Sequence, residues 1–90
     1  MRGVYYAKDG KFLYLNEQDV IDRPALRMAL AQHRSHCKPA GRHTVKHTTP
    51  GEELAIFLGW ELDAEEFEVV VAFLKDSGFR EDVTIGSNLL

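Results

Sequence analysis

The residue types best suited to chemistry lie in one stretch of the sequence, His33-x-x-His36-Cys37-x5-His43-x3-His47. Imidazole and thiolate are the ligands that zinc prefers, and Cys-x5-His-x3-His is near, but not within, the spacings common in structural zinc sites. A helix through His33, His36 and Cys37 would set them close together, and a turn at Pro39-Ala40-Gly41 would return His43 and His47 to the same region. A zinc-stabilised module is therefore one expectation. Against it stands the single cysteine, because structural sites of this kind usually bring more than one. Without a metal, the same residues are a packed thiol and histidines that complement the dipole at a helix C-terminus. A nucleophilic Cys37 is disfavoured, since a helix C-terminus opposes the thiolate that catalysis needs.

Other catalytic equipment is missing. The glycines are scattered as turn and cap residues, so no phosphate-cradling loop is present. Glu65, Glu66 and Glu68 fall in the first turn of an expected helix, where acids complement the dipole, and no partner motif makes an acid–base pair of them. The expectation is a non-enzymatic chain with no cofactor beyond the zinc option.

Charge offers more. The formal net charge of -3 conceals a segregation along the chain. Residues 23–47 carry Arg23, Arg27, Arg34, Lys38, Arg42 and Lys46, all the histidines, and no acid. Residues 48–74 carry Glu52, Glu53, Glu61, Asp63, Glu65, Glu66 and Glu68, and no base. Separated blocks of charge create local potentials that steer partners, unless the two blocks face and neutralise each other within the fold.

Two partner classes follow. An acidic face of Glu61, Asp63, Glu65 and Glu68 would contact a basic protein surface, the behaviour of a small regulatory module such as a phage or mobile element encodes. Alternatively, Arg23, Arg27, Arg34, Lys38, Arg42 and Lys46 would form a phosphate-binding surface, with hairpin aromatics to stack bases. An acidic isoelectric point counts against the second. Homodimerisation is a further expectation, because Val69 and Phe73 widen the apolar surface of the last long helix.

The elements that must position these residues are those of one α+β domain spanning residues 1–90. Residues 1–16 predict a β-hairpin, with Asp9-Gly10 as a type I′ turn between Val4-Tyr5-Tyr6-Ala7 and Phe12-Leu13-Tyr14-Leu15. A two-residue loop pairs Ala7 with Phe12 and Tyr6 with Leu13. It places Val4, Tyr6, Leu13 and Leu15 on one face, and Tyr5, Ala7, Phe12 and Tyr14 on the other. A helix is expected over 22–37, burying Leu26, Ala29, Leu30, His33 and Cys37. A third strand is expected at 42–48, from β-branched Thr44, Val45 and Thr48. Thr49-Pro50-Gly51-Glu52 is a capping box that predicts a helix over 49–58, and Asp63 starts another over 63–77. Phe79 should fold back onto the core, Val83-Thr84-Ile85 reads as a short strand, and 88–90 as a loose tail.

Several of these residues also carry a likeness. Glu53-Leu54-Ala55-Ile56-Phe57-Leu58-Gly59-Trp60, Asp63-Ala64-Glu65-Glu66-Phe67, Val70-Val71-Ala72-Phe73-Leu74 and Ser77-Gly78-Phe79 together resemble the helical core of winged-helix proteins, over residues 49–85. The resemblance implies a recognition helix at 64–77. Its exposed positions would be Glu65, Glu68, Ala72, Lys75 and Asp76, a net acidic set that repels phosphates, so the resemblance implies protein binding instead of DNA reading.

The lone cysteine suits a reducing compartment. No apolar run approaches the ~20 residues of a membrane span, and Met1-Arg2-Gly3-Val4 does not begin a signal peptide. A cytoplasmic protein without membrane partners is expected.

Overall fold

The computed structural model describes residues 2–32, 37–46 and 54–89. They form a mixed α+β fold: one five-stranded sheet with helices on both faces. The elements are β1 (Val4–Lys8), β2 (Phe12–Asn16), α1 (Glu17–Asp22), α2 (Pro24–Gln32), β3 (Cys37–Lys46), β4 (Leu54–Leu62), α3 (Ala64–Asp76), β5 (Arg80–Glu81) and α4 (Thr84–Asn88). Strand order is β3-β4-β2-β1-β5, antiparallel except for the parallel β1–β5 pair.

The hairpin forms around the expected turn, with Asp9 and Gly10 both at positive φ and Lys11 N–H donating to Lys8 O. Its register is one residue off the expectation: Lys8 pairs with Phe12, Ala7 with Leu13, Tyr6 with Tyr14 and Tyr5 with Leu15. Lys11 is left as an extra residue in the turn, and its carbonyl accepts from Leu62 N–H of β4 at 2.7 Å. A one-residue slip moves a whole set of side chains to the other face. Tyr5, Leu13 and Leu15 therefore share a core with α2 and α3, whereas Val4, Tyr6 and Tyr14 lie on the opposite face with α4.

Within the expected 22–37 helix, Pro24–Gln32 is α2, Asp22 closes a separate helix α1 that begins at Glu17, Cys37 starts a strand, and 33–36 lie outside the described residues. Asn16 caps α1, its side chain accepting from Gln18 N–H and Asp19 N–H. Pro24 then forces Arg23 to extended backbone, which ends α1, and itself opens α2. Leu26 and Leu30 are buried as expected. Cys37, assigned to the helix stripe from sequence, is instead the first residue of β3. That strand begins well before residue 42, and Pro39-Ala40-Gly41 makes a bulge within it instead of a helix stop.

The largest departure is at 49–58. Residues 54–58 are strand, the start of β4, and the capping box at 49–52 lies outside the described residues. β4 runs between β3 and β2, so a run that is apolar on both faces fits a central strand as well as a helix. The winged-helix resemblance needs a helix at Leu54–Gly59, where the chain pairs as sheet, and it is not carried further.

α3 matches its expectation closely. Asp63 holds the N-cap position, and Gly78 at positive φ ends the helix, with Phe79 N–H donating back to Leu74 O. Phe79 is buried. The expected strand at 83–85 is instead helix α4, because the Asp82 carboxylate captures both the N–H and the hydroxyl of Thr84. The strand in this region is β5, where Arg80 N–H and Asp82 N–H donate to Gly3 O and Tyr5 O beside β1. The tail is less loose than expected, since Leu89 bridges Val45 and packs on the second core.

Candidate docking surface

Residues from both sequence-derived partner surfaces, and from the cysteine–histidine cluster, are separated by the sheet. Cys37 packs with Leu62 on the face covered by α2 and α3, while His43 meets the Tyr14 ring edge-on from the opposite face. Those two side chains cannot share a metal. His33, His36 and His47 lie outside the described residues, and among the described residues no group of three metal-binding side chains occurs. The His43 ring is bonded instead to the Ala40 carbonyl, 3.1 Å from Nε2. Burial pushes the Cys37 thiol above its usual range, and the nearby charge of Glu66 adds to the shift. Cys37 should therefore react with iodoacetamide at neutral pH far more slowly than free cysteine, and reach the free rate once urea unfolds the chain. Equal rates before and after unfolding would contradict this burial.

The basic residues do not form one stripe. Arg23 lies over the Phe79 ring at 4.6 Å and beside Asp19. Arg42 binds the Glu17 carboxylate through Nε at 2.8 Å and Nη2 at 3.2 Å, and that contact raises its already high pKa. Strand alternation places Lys38 on the sheet face opposite to Arg42 and Lys46, because the bulge falls between them. Arg27 is on α2, and Arg34 lies outside the described residues.

The acidic residues divide as well. Glu61 belongs to β4, opposite Lys38 in the register and 3.6 Å from Lys11 Nζ, so it is part of a charged row on the sheet and not of a helical face. Asp63 is exposed at the N-cap of α3. Glu65 and Glu68 are exposed on α3 proper. Glu66 is half-buried and turns toward the sheet, where its charge reaches Cys37.

The helix surface is more informative than the charge count. α3 is fixed to the core by Val70 and Leu74, both fully buried, which determines how its remaining residues are presented. Glu65, Val69, Ala72 and Asp76 are spaced four, three and four residues apart, so they form one stripe, and all are exposed. Beside this stripe an open groove of about 330 Å³ runs between α2 and α3, lined by Ala25, Met28, Ala29, Gln32, Val69, Val70 and Phe73. Met28 is 63% exposed and Val69 53%. Phe73 is half-buried and packs against the core, so of the two residues suspected of widening the apolar surface, Val69 is the one left open.

Sequence reasoning found the α3 side of this groove and missed the α2 side. Met28 lies off the Leu26–Leu30 stripe, and an apolar residue outside the buried stripe of a nine-residue helix was the available signal. Among the described residues no helix is long and apolar enough to cross a membrane. Comparison with protein families, curated proteins and solved structures finds no match for this chain.

Proposed function

We propose that the chain is a small, non-enzymatic protein-interaction or regulatory module, of the kind a phage or mobile element encodes, that binds a basic partner surface through the exposed acidic face of α3. The observation that carries this reading is the exposure of Glu65 and Glu68 around Val69, on a helix whose buried side is anchored by Val70 and Leu74. A rigid helix holding carboxylates around an apolar residue offers charge for steering and apolar area for affinity. A nucleic-acid function finds less support, because the bases expected to act together lie on different faces and two of them are engaged by Asp19, Phe79 and Glu17.

Charge reversal tests the proposal. Affinity capture with the wild-type chain and with a Glu65→Lys, Glu68→Lys variant should recover different sets of proteins, with the basic ones lost from the variant. Both positions are exposed, and Glu65 lies in the first turn of α3, so the reversal should cost about 1 kcal/mol through the helix dipole and leave the chain folded. Identical captured sets would remove the basis for an acidic binding face. Capture of nucleic acid by the wild type at low salt would favour the basic residues instead.

A further inference from the structure

We infer that the groove between α2 and α3 receives the apolar face of a basic helical segment from the partner protein, with Met28 and Val69 as its main contacts. This rests on the acidic-face reading above and adds to it the shape and chemistry of what is bound.

The groove is formed by helices held in place by buried residues: Leu26 and Leu30 under α2, Val70 and Leu74 under α3. α2 has nine residues, which at helical rise gives a trough roughly 13 Å long. That length accommodates about two turns of a further helix, the span over which positions i, i+3, i+4 and i+7 share one face. Ala25 and Ala29, four apart on α2, keep that wall low, so a third helix could approach closely.

The charges on the lips select the occupant. The α3 lip carries Glu65 and Asp76 at the two ends of the Val69–Ala72 stripe. The α2 residues lining the groove, Ala25, Met28, Ala29 and Gln32, are uncharged. Arg27 projects from the other side of α2, because residue 27 is rotated away from the positions at 25, 28, 29 and 32. An apolar trough with carboxylates at both ends of one lip favours an apolar segment flanked by lysine or arginine.

The same placement argues against a second copy of this chain. In a symmetric antiparallel pairing through the stripe, its midpoint falls between Val69 and Ala72, so Glu65 of each copy meets Asp76 of the other. In a parallel pairing Glu65 meets Glu65 and Asp76 meets Asp76. Both arrangements set like charges together, which costs affinity at the moment apolar area is gained. A basic segment places opposite charges at those positions.

The test uses the full chain and a fluorescent synthetic helix of leucine and lysine, with leucines spaced to form one face, against a scrambled peptide of the same composition. Anisotropy titrations should give a dissociation constant on the order of micromolar for the amphipathic peptide, and binding at least about tenfold weaker for the scramble. Val69→Glu, and separately Met28→Glu, should each weaken the amphipathic peptide about tenfold or more, although each adds a favourable negative charge. Glu65→Lys should also weaken it. If Glu65→Lys weakens binding while Val69→Glu and Met28→Glu leave it unchanged or tighter, the groove inference falls and the acidic-face reading stands. If Glu65→Lys has no effect, both fall. Indifference of the wild type to scrambling, or a wild-type dimer that dissociates on Val69→Glu, overturns the groove inference. Two separate groove variants guard against one that fails to fold.

Discussion

Replacing Phe57 with alanine is expected to destabilise the folded chain by about 3–5 kcal/mol, read as a drop in the urea midpoint with little change in slope. Phe57 is 0% exposed and sits in the smaller of the two cores, with Val4, Val45 and Ile85 buried around it. That core is closed by α4, a five-residue helix, and by Leu89, so few groups are available to collapse into the space a phenyl ring leaves. Domains of this size are typically stable by only about 5–15 kcal/mol, so the loss is a large fraction of the total. Leu54→Ala is the matched control. Leu54 is 66% exposed at the start of the same strand, and its replacement should change stability by no more than about 0.5 kcal/mol. The pair also discriminates between folds. In a helix over 49–58, Leu54 and Phe57 would share the apolar face, and both substitutions would be costly. Only in the strand are their costs widely different.

That contrast marks where local sequence signals stopped being sufficient. Thr49-Pro50-Gly51-Glu52 is a sound helix start, and Leu54, Ala55, Phe57 and Leu58 have helical spacing. The same residues, with Ile56 and Trp60, also suit a strand buried on both faces. Pairing with β2 on one side and β3 on the other decides between them, and neither pairing is visible in the segment itself. The hairpin illustrates a finer limit. Asp9-Gly10 specified the turn, but the register depended on Lys11 O being taken by Leu62 N–H from a strand about fifty residues away in sequence. By contrast α3 was legible almost to the residue, because its periodicity, its acidic first turn and Gly78 all agree. The candidate site divides along the same line. Glu65, Glu68 and Val69 follow from the periodicity of α3, whereas the α2 wall required knowing that α2 packs beside α3, a long-range placement that periodicity within residues 24–32 does not carry.

The second large effect is expected at Asp19, where alanine should cost about 2–4 kcal/mol and asparagine about half as much. The Asp19 side chain is fully buried in the first turn of α1, an interior site that carboxylates seldom occupy without partners. Its Oδ2 accepts from Gly3 N–H at 2.8 Å. Its Oδ1 makes no hydrogen bond and lies 3.6 Å from Arg2 Nε and 3.8 Å from Arg23 Nε. That oxygen is therefore held by charge more than by directed bonds. Alanine removes the acceptor for Gly3 and leaves that donor without its partner at the start of β1. Both arginines are about half exposed, so they can turn toward water, which keeps the cost below that of a fully buried pair. Asparagine retains an acceptor oxygen of the same size and loses only the charge, which separates the two contributions. A double-mutant cycle with Arg23→Ala should show coupling, because Arg23 connects Asp19 to the Phe79 ring and so ties the α1–α2 junction to the end of α3. Additive costs in that cycle would mean Arg23 stabilises the fold only through Phe79. A measurable coupling makes Asp19 one of the residues that set α2 against α3, and the groove between them depends on that placement.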